Sequence, residues 1–259
     1  MDSLDLSLGM IALFLAGGAV AGFIDSIAGG GGLITLPLLS IVLGPGVHAI
    51  ATNKIVGTVG AFAALVVYAR SGGLDWKQGA SFCVTIALGS FTGSLLAPHL
   101  PEEAVRWLLI ALCPVLLYIV WQKNRWLNPG RDTDLPQARL HLLHWPTIFS
   151  GFACGIYDGA FGPGGGTFMF LALAIVARFP IFQALAISKL ANTLSAGTSL
   201  VSYAAGGYVH WAVGVVLASG MLAGAVAGSN LNLKRADVIL RPVLALAVSL
   251  LLARLLMDT

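Results

Sequence analysis

Two lysines stand inside apolar stretches of this 259-residue chain, where a cation is energetically costly. Lys54 lies in the stretch 49–69 and Lys189 in the stretch 181–203, each about two helical turns from the start. A lysine at the centre of a membrane helix costs roughly 2.5–3.5 kcal/mol. One interpretation is a pair of cations that face a binding site and attract an anion. Neutral hydrogen-bonding groups beside them are Thr52, Asn53, Ser188 and Asn192.

The alternative for Lys54 and Lys189 is a structural role. Long lysine side chains extend to a nearby interface, or they pair with a carboxylate, here Asp25 or Asp158. Both readings of the lysines stay open at the level of sequence.

Two glycine runs form the second candidate feature. Residues 29–32 are four consecutive glycines, and residues 162–166 repeat the pattern around Pro163. Each glycine costs a helix about 1 kcal/mol relative to alanine, so both runs predict a helix break. The first N–H groups of the short helix after each break have no internal partner and attract anions. The candidate anion ligands at the breaks are Gly29, Gly30, Gly31, Gly32, Leu33, Thr35, Gly164, Gly165, Gly166 and Thr167.

Glycine also permits close helix packing, and this is the competing interpretation of the runs. It is the preferred one for two further motifs, Gly89-x-x-x-Gly93 and Gly224-x-x-x-Gly228. A phosphate-binding P-loop is excluded because no Gly-Lys-Ser/Thr follows either run.

The stretches that must position these residues are apolar from end to end. The chain is 58% apolar and 10% charged, whereas soluble domains carry about 25% charged residues. We therefore predict an all-α polytopic membrane protein. The predicted segments are 6–27, 33–43, 49–69, 79–96 and 105–121, then 145–161, 167–177, 181–203, 211–231 and 238–256. The short segments 33–43 and 167–177 either continue a broken helix or form a re-entrant pair.

The two halves of the chain align with each other at an offset of 133 to 135 positions. Asp25 falls on Asp158, and Lys54 falls on Lys189. Residues 1–121 and 145–259 are thus predicted transmembrane repeats, joined by a polar linker at 122–144. Five segments is an odd number, so the repeats are inverted, and their breaks approach each other near the midplane. This 5+5 plan, with a broken or re-entrant helix pair in each half, is that of secondary transporters.

Basic residues set the predicted orientation. With alternating sides, ten of the 14 Lys and Arg fall on the side of the linker. The positive-inside rule then places the linker in the cytoplasm and both termini outside the plasma membrane. The bilayer is the expected environment, no nucleic-acid partner is indicated, and a homodimer is left open.

Asp25 and Asp158 each precede a break. A carboxylate beside an anion repels it unless the carboxylate is protonated or paired. Two roles are therefore open: one of them carries a coupling proton, or both cap the backbone at the breaks.

Enzyme, cofactor and metal chemistry are not indicated. No nucleophile stands with a base, and Cys83, Cys113 and Cys154 lack metal-ligand spacing. His48 and His210 fit an interfacial position better than a ligand role.

The residues around the glycine runs and the lysines resemble those of a known family. The stretches GFIDSIAGGGGLITLPLL, ATNKIVGTVGA, GxxDGAFGPGGGTFM and ISKLANTLSA look like the TauE/SafE family of sulfite-exporter-like membrane permeases. The resemblance spans about residues 10–255. It implies a plasma-membrane carrier for sulfite, sulfoacetate or related sulfur-containing anions. The second half departs from the first, with Pro163 in the place of Gly30 and Ser188 in the place of Asn53.

Together these features predict a secondary transporter that exports such anions by proton-coupled alternating access. The alternatives are an anion channel of the same architecture, an uptake permease for another small anion, and a membrane scaffold that transports nothing.

Overall fold

The structure is a computed structural model that describes residues 7–72, 76–101 and 145–233. Every regular element in these ranges is a helix. The first half contains α1 (Leu8–Ala28), α2 (Gly32–Leu43), α3 (Val47–Arg70) and α4 (Trp76–Leu96), which ends in a 3₁₀ turn at Ala97–His99. The second half contains α5 (Trp145–Ala160), α6 (Gly165–Leu171) with a π-helical turn at Ala172–Val176, α7 (Ile181–Ala205) and α8 (Trp211–Leu233).

These helices match the predicted segments to within a few residues. The segments 105–121 and 238–256, the linker 122–144 and Cys113 lie outside the described residues, as do both ends of the chain. The orientation of the termini therefore stays a prediction.

Four of the helices are long and apolar enough to cross a bilayer: Leu8–Ile27, Val47–Arg70, Gly79–His99 and Trp211–Leu233. The prediction of an all-helical, multi-pass chain is confirmed by them. By contrast, α2 has 12 residues, a length of about 18 Å that falls short of the ~30 Å hydrocarbon core.

Glycine conformation ends α1 and begins α6. Gly29 caps α1 with φ 76° and ψ 168°, a backbone conformation that residues other than glycine avoid. Gly164 precedes α6 in the left-handed region, with φ 75° and ψ 0°. The predicted helix breaks are confirmed at both glycine runs.

Glycines also let helices of opposite halves touch through their backbones. On α1, a Cβ at Gly22 would collide with the carbonyl oxygen of Met221 on α8, while Gly224 of α8 meets α1 in the same way. On α4, a Cβ at Gly93 would collide with the carbonyl oxygen of Ile156 on α5. The predicted packing role of the two Gly-x-x-x-Gly motifs is confirmed. It follows that α1 packs on α8, and α4 on α5, across the division between the halves.

The lysine-bearing helices α3 and α7 pack against each other in the centre. Two buried tyrosines at matching repeat positions fix them to the helices that carry the aspartates. Tyr68 of α3 donates its hydroxyl proton to the Ser26 carbonyl oxygen at 2.8 Å, and Tyr203 of α7 donates to the Gly159 carbonyl oxygen at 2.8 Å. Each lysine helix is thereby held against the broken helix of its own half.

Candidate functional site

The two helix breaks meet in the interior. A Cβ on Gly29 would lie 2.6 Å from the backbone nitrogen of Thr167, so no side chain fits between them. A Cβ on Gly32 would lie 3.1 Å from the Cα of Pro163. The glycine runs of the two halves are therefore in direct contact, and irregular backbone inside the predicted bilayer is covered by protein.

Around this contact, each lysine pairs with the aspartate of the other half. The Lys54 ammonium lies 3.4 Å from Asp158 Oδ2, and the Lys189 ammonium lies 3.3 Å from Asp25 Oδ2. Each ammonium also donates to the main-chain carbonyl oxygen of the same aspartate. All four side chains are buried. Of the interpretations offered for the lysines, the structure shows pairing with the aspartates.

The remaining contacts of the two carboxylates differ. Asp25 Oδ1 accepts a hydrogen bond from the Gly31 N–H at 3.0 Å, and Gly31 is the residue that caps α2. Asp158 Oδ2 instead accepts the Ser195 hydroxyl at 2.5 Å. Asp25 thus acts as a cap for the backbone at its break, while Asp158 is held by a side chain of α7. The two half-sites are not chemically equal.

A cavity of about 30 Å³ lies at the meeting point. This volume accommodates about two water molecules, so an oxyanion enters only if surrounding groups move. Its lining comes from both halves: Asp25, Gly30, Gly32, Thr35, Asn53, Lys54, Gly57, Asp158, Gly162, Gly164, Gly165, Gly166, Asn192, Ala196 and Met221.

Eleven of the predicted site residues line this cavity, and the others lie around it. Gly29 and Thr167 form the contact between the breaks, and Gly31 binds Asp25. Leu33 is buried, and Lys189 is engaged with Asp25. Two of the neutral groups point elsewhere: Ser188 donates to the Leu185 carbonyl oxygen of its own helix, and Thr52 accepts the His210 N–H.

Two amides provide neutral polar groups at the cavity. Thr35 donates its hydroxyl proton to Asn53 Oδ1 at 2.5 Å, which fixes the orientation of that amide. The Asn53 nitrogen then faces Gly32, and the Asn192 nitrogen faces Gly166. Each break thus has one amide N–H₂ group beside it, although Asn53 and Asn192 do not occupy matching positions of the repeat.

Three lining residues escaped the sequence analysis: Gly57, Ala196 and Met221. A fourth, Gly162, was part of the predicted break but not of the predicted ligands. For Gly57 and Ala196 a signal existed. Gly57 lies three positions after Lys54, and Ala196 lies seven after Lys189, so both share a helical face with their lysine. Met221 reaches the cavity through the docking of the halves, and Ser195 reaches Asp158 through the packing of α7 on α5 within the second half. Helical spacing reveals neither contact.

A family model described as sulfite exporter TauE/SafE matches residues 14–255 of the chain. Three proteins similar to it carry the name of a probable membrane transporter protein. ORF9 of Sinorhizobium sp is 32% identical, covering 98% of this chain and 95% of its own. YfcA of Escherichia coli K12 is 33% identical, covering 93% and 87%. A protein of Haemophilus influenzae is 31% identical, covering 98% of both. No solved structure shows significant similarity to the chain.

Proposed function

This chain belongs to the sulfite exporter TauE/SafE family, and on that premise we propose that it exports small sulfur-containing anions such as sulfite or sulfoacetate. Its relatives are named as probable membrane transporters, so it is a multi-pass membrane transporter and not an enzyme. The substrate class and the outward direction come from the family description.

The observation that carries the proposal is the exchange of ion pairs between the halves at the cavity. Lys54 of the first half holds Asp158 of the second, and Lys189 holds Asp25 in return. Equivalent lysine–aspartate pairs from the two halves thus lie around one buried polar cavity. This reciprocity supports an inverted 5+5 repeat, in which rocking of one half against the other exposes the site alternately.

The anion is held in this proposal by neutral donors and by one cation. The amide nitrogens of Asn53 and Asn192 lie beside the two breaks. An ammonium has three N–H donors, and Lys54, which lines the cavity, gives two of them to Asp158. Its third donor and the two amides form the recognition site when the surrounding groups move apart.

The charge balance of the site supports proton coupling. Two ammonium groups and two carboxylates sum to zero, so an entering anion adds one uncompensated negative charge to a buried region. Such a charge is costly in low dielectric unless a proton accompanies it. Asp158 is the better proton acceptor of the two aspartates, because its partner Ser195 has a hydroxyl that can turn to accept from the protonated acid, whereas Asp25 faces the Gly31 N–H, which can only donate.

Neutralising each carboxylate tests this coupling. In the Asp158→Asn variant we expect anion transport to lose its dependence on the proton gradient, whereas Asp25→Asn retains it with lower protein stability. Transport is measured in proteoliposomes at several internal and external pH values. An unchanged pH profile in both variants removes the proton role.

Counterflow in proteoliposomes tests the function itself. Purified protein is reconstituted, the vesicles are loaded with unlabelled anion, and entry of labelled sulfite, sulfoacetate, thiosulfate, sulfate or phosphate is followed. We expect saturable counterflow of a sulfur anion, which Lys54→Ala and Lys189→Ala abolish. Unitary currents would instead indicate a channel. Flux equal to that of protein-free liposomes in the wild type and in both lysine variants would indicate a scaffold, and a preference for phosphate would overturn the substrate class.

A further inference from the structure

Two histidines from opposite halves meet at one end of the helix bundle. His48 is the second residue of α3, and His210 directly precedes α8. His210 Nε2 lies 3.2 Å from His48 Nδ1, and the ring centroids are 5.1 Å apart. In the sequence both residues fit an interfacial position, and nothing there places them together, because 162 positions separate them.

The pair is held in place by its surroundings. The His210 N–H donates to Thr52 Oγ1 at 3.0 Å, which ties the loop before α8 to α3. The Tyr208 ring packs edge-on against His48 at 5.6 Å, and the Tyr208 carbonyl oxygen lies 3.1 Å from His48 Nδ1. The two imidazoles are therefore held in position by backbone contacts and ring packing, as well as by the contact between the two rings.

From this geometry we propose that His48 and His210 form a binding site for a divalent transition-metal ion such as Zn²⁺. Zinc binds imidazole nitrogen at 2.0–2.1 Å, so two nitrogens on a tetrahedral ion lie about 3.3 Å apart. The observed separation of 3.2 Å is close to this value, and zinc binding displaces the proton that His48 Nδ1 donates to the Tyr208 carbonyl oxygen or to His210 Nε2. Imidazole nitrogen suits zinc, copper and nickel alike.

Exposure and charge state fit a metal ligand. His48 is exposed and His210 half-buried, so water can complete the coordination. Burial and the facing His48 ring lower the pKa of His210, which favours the neutral form that binds metals. Among the described residues no group of three His, Cys, Asp or Glu surrounds this point. The site is thus a two-histidine site completed by solvent.

A metal here would bridge the two halves of the molecule. His48 begins α3, the helix that carries Lys54, and His210 leads into α8 of the other half. If the halves rock during transport, the bridge holds them together and inhibits transport. The metal site itself does not depend on the proposed function.

Isothermal titration calorimetry with Zn²⁺ alone tests the site. The full-length protein is purified in detergent with its affinity tag removed. We expect one Zn²⁺ per chain, and His48→Gln or His210→Gln should weaken binding by at least about tenfold. Glutamine keeps a polar side chain of similar size, so these variants should fold. His99→Gln is the matched control, because His99 is a solvent-exposed histidine whose Nδ1 lies 3.1 Å from the Leu95 carbonyl oxygen of its own helix.

Thermal unfolding gives a second readout that requires no transport. Zn²⁺ should raise the Tm of the wild type and of His99→Gln, and leave the Tm of His48→Gln and His210→Gln unchanged. Binding and Tm shifts in either pair variant equal to those of the wild type would overturn the proposal. So would the absence of binding to the wild type, or its loss in His99→Gln.

Discussion

At the scale of single residues, the two lysine–aspartate ion pairs are buried away from water. Lys54 and Asp158 are 2% and 3% exposed, so each compensates a charge that water does not reach. Removing one partner of a buried pair costs about 3–5 kcal/mol, mostly because the other charge is left alone. Replacing both partners by apolar groups of similar volume is far less costly. In addition to any net stabilisation, the ion pairs therefore determine which helices pack together.

Double substitutions test which charges are paired. Lys54→Met and Asp158→Leu should each destabilise the protein by about 3–5 kcal/mol, and the double variant should recover most of the loss. The mismatched double variant Lys54→Met with Asp25→Leu leaves two unpaired charges and should be less stable than either single variant. Thermal unfolding in detergent measures all of these. Recovery in the mismatched double would contradict the observed pairing.

Sequence reasoning identified all four charged residues but not their partners. Their burial follows from their place in apolar stretches, and the pairing of lysine with aspartate was one of two readings. That Lys54 pairs with Asp158 rather than Asp25 depends on how the halves dock, whereas the contact of Ser195 with Asp158 depends on how α7 packs on α5 within the second half. Local spacing carries no information about either contact.

At the scale of elements, the helix breaks decide the architecture. Four consecutive glycines at 29–32 predicted the first break directly, and α2 begins at Gly32. In the second half, α6 begins at Gly165, two residues before the predicted start, because Gly165 and Gly166 adopt helical geometry once Gly164 has turned the chain. Breaks were predictable because they follow from backbone conformation, which glycine controls locally.

Gly29 and Gly44 have nearly the same backbone conformation but different surroundings. Alanine substitutions at the two positions therefore distinguish the cost of backbone strain from the cost of a steric clash. Gly29 has φ 76° and ψ 168°, and Gly44 has φ 74° and ψ 159°. A Cβ on Gly29 would press on Thr167, whereas nothing lies within 4 Å of one on Gly44. Gly44→Ala should therefore cost only the backbone strain, about 1–3 kcal/mol. Gly29→Ala should cost that amount plus a further ~1–3 kcal/mol of overpacking.

Thermal unfolding compares the two variants, and transport assays show whether the break still functions. Only Gly29→Ala should lose transport along with stability. Equal losses in both variants would mean that the contact between the breaks contributes nothing.

On the scale of the whole molecule, the halves interlock rather than lie side by side. α1 packs on α8, α5 packs on α4, and α3 packs on α7 between them. The repeat was visible in the sequence, but this exchange of helices was not, because equivalent segments have equivalent patterns wherever they pack. The interlocked arrangement explains how both halves reach one cavity.

An engineered disulfide tests the contact between α3 and α7. A Cβ on Gly57 would lie 3.7 Å from the Cβ of Ala196, close to the mean separation of about 3.8 Å in disulfides. In a background without native cysteines, Gly57→Cys with Ala196→Cys should form a disulfide on mild oxidation. Counting free thiols with a maleimide reagent measures its yield. Two free thiols after oxidation would contradict the packing of the halves.

In the proposed mechanism the anion binds in the cavity where the two breaks meet. Protection of a cysteine at that point tests it most directly. Gly57 lines the cavity, while Gly197 does not, although both are half-buried on the lysine helices. Each is replaced by cysteine in a background without native cysteines, and alkylation by N-ethylmaleimide is timed in proteoliposomes. Sulfoacetate is the ligand used, because sulfite itself reacts with maleimides.

Sulfoacetate should slow alkylation of the Gly57→Cys variant and leave that of Gly197→Cys unchanged. The same alkylation rate with and without the anion in Gly57→Cys, in protein that performs counterflow of that anion, would contradict the account.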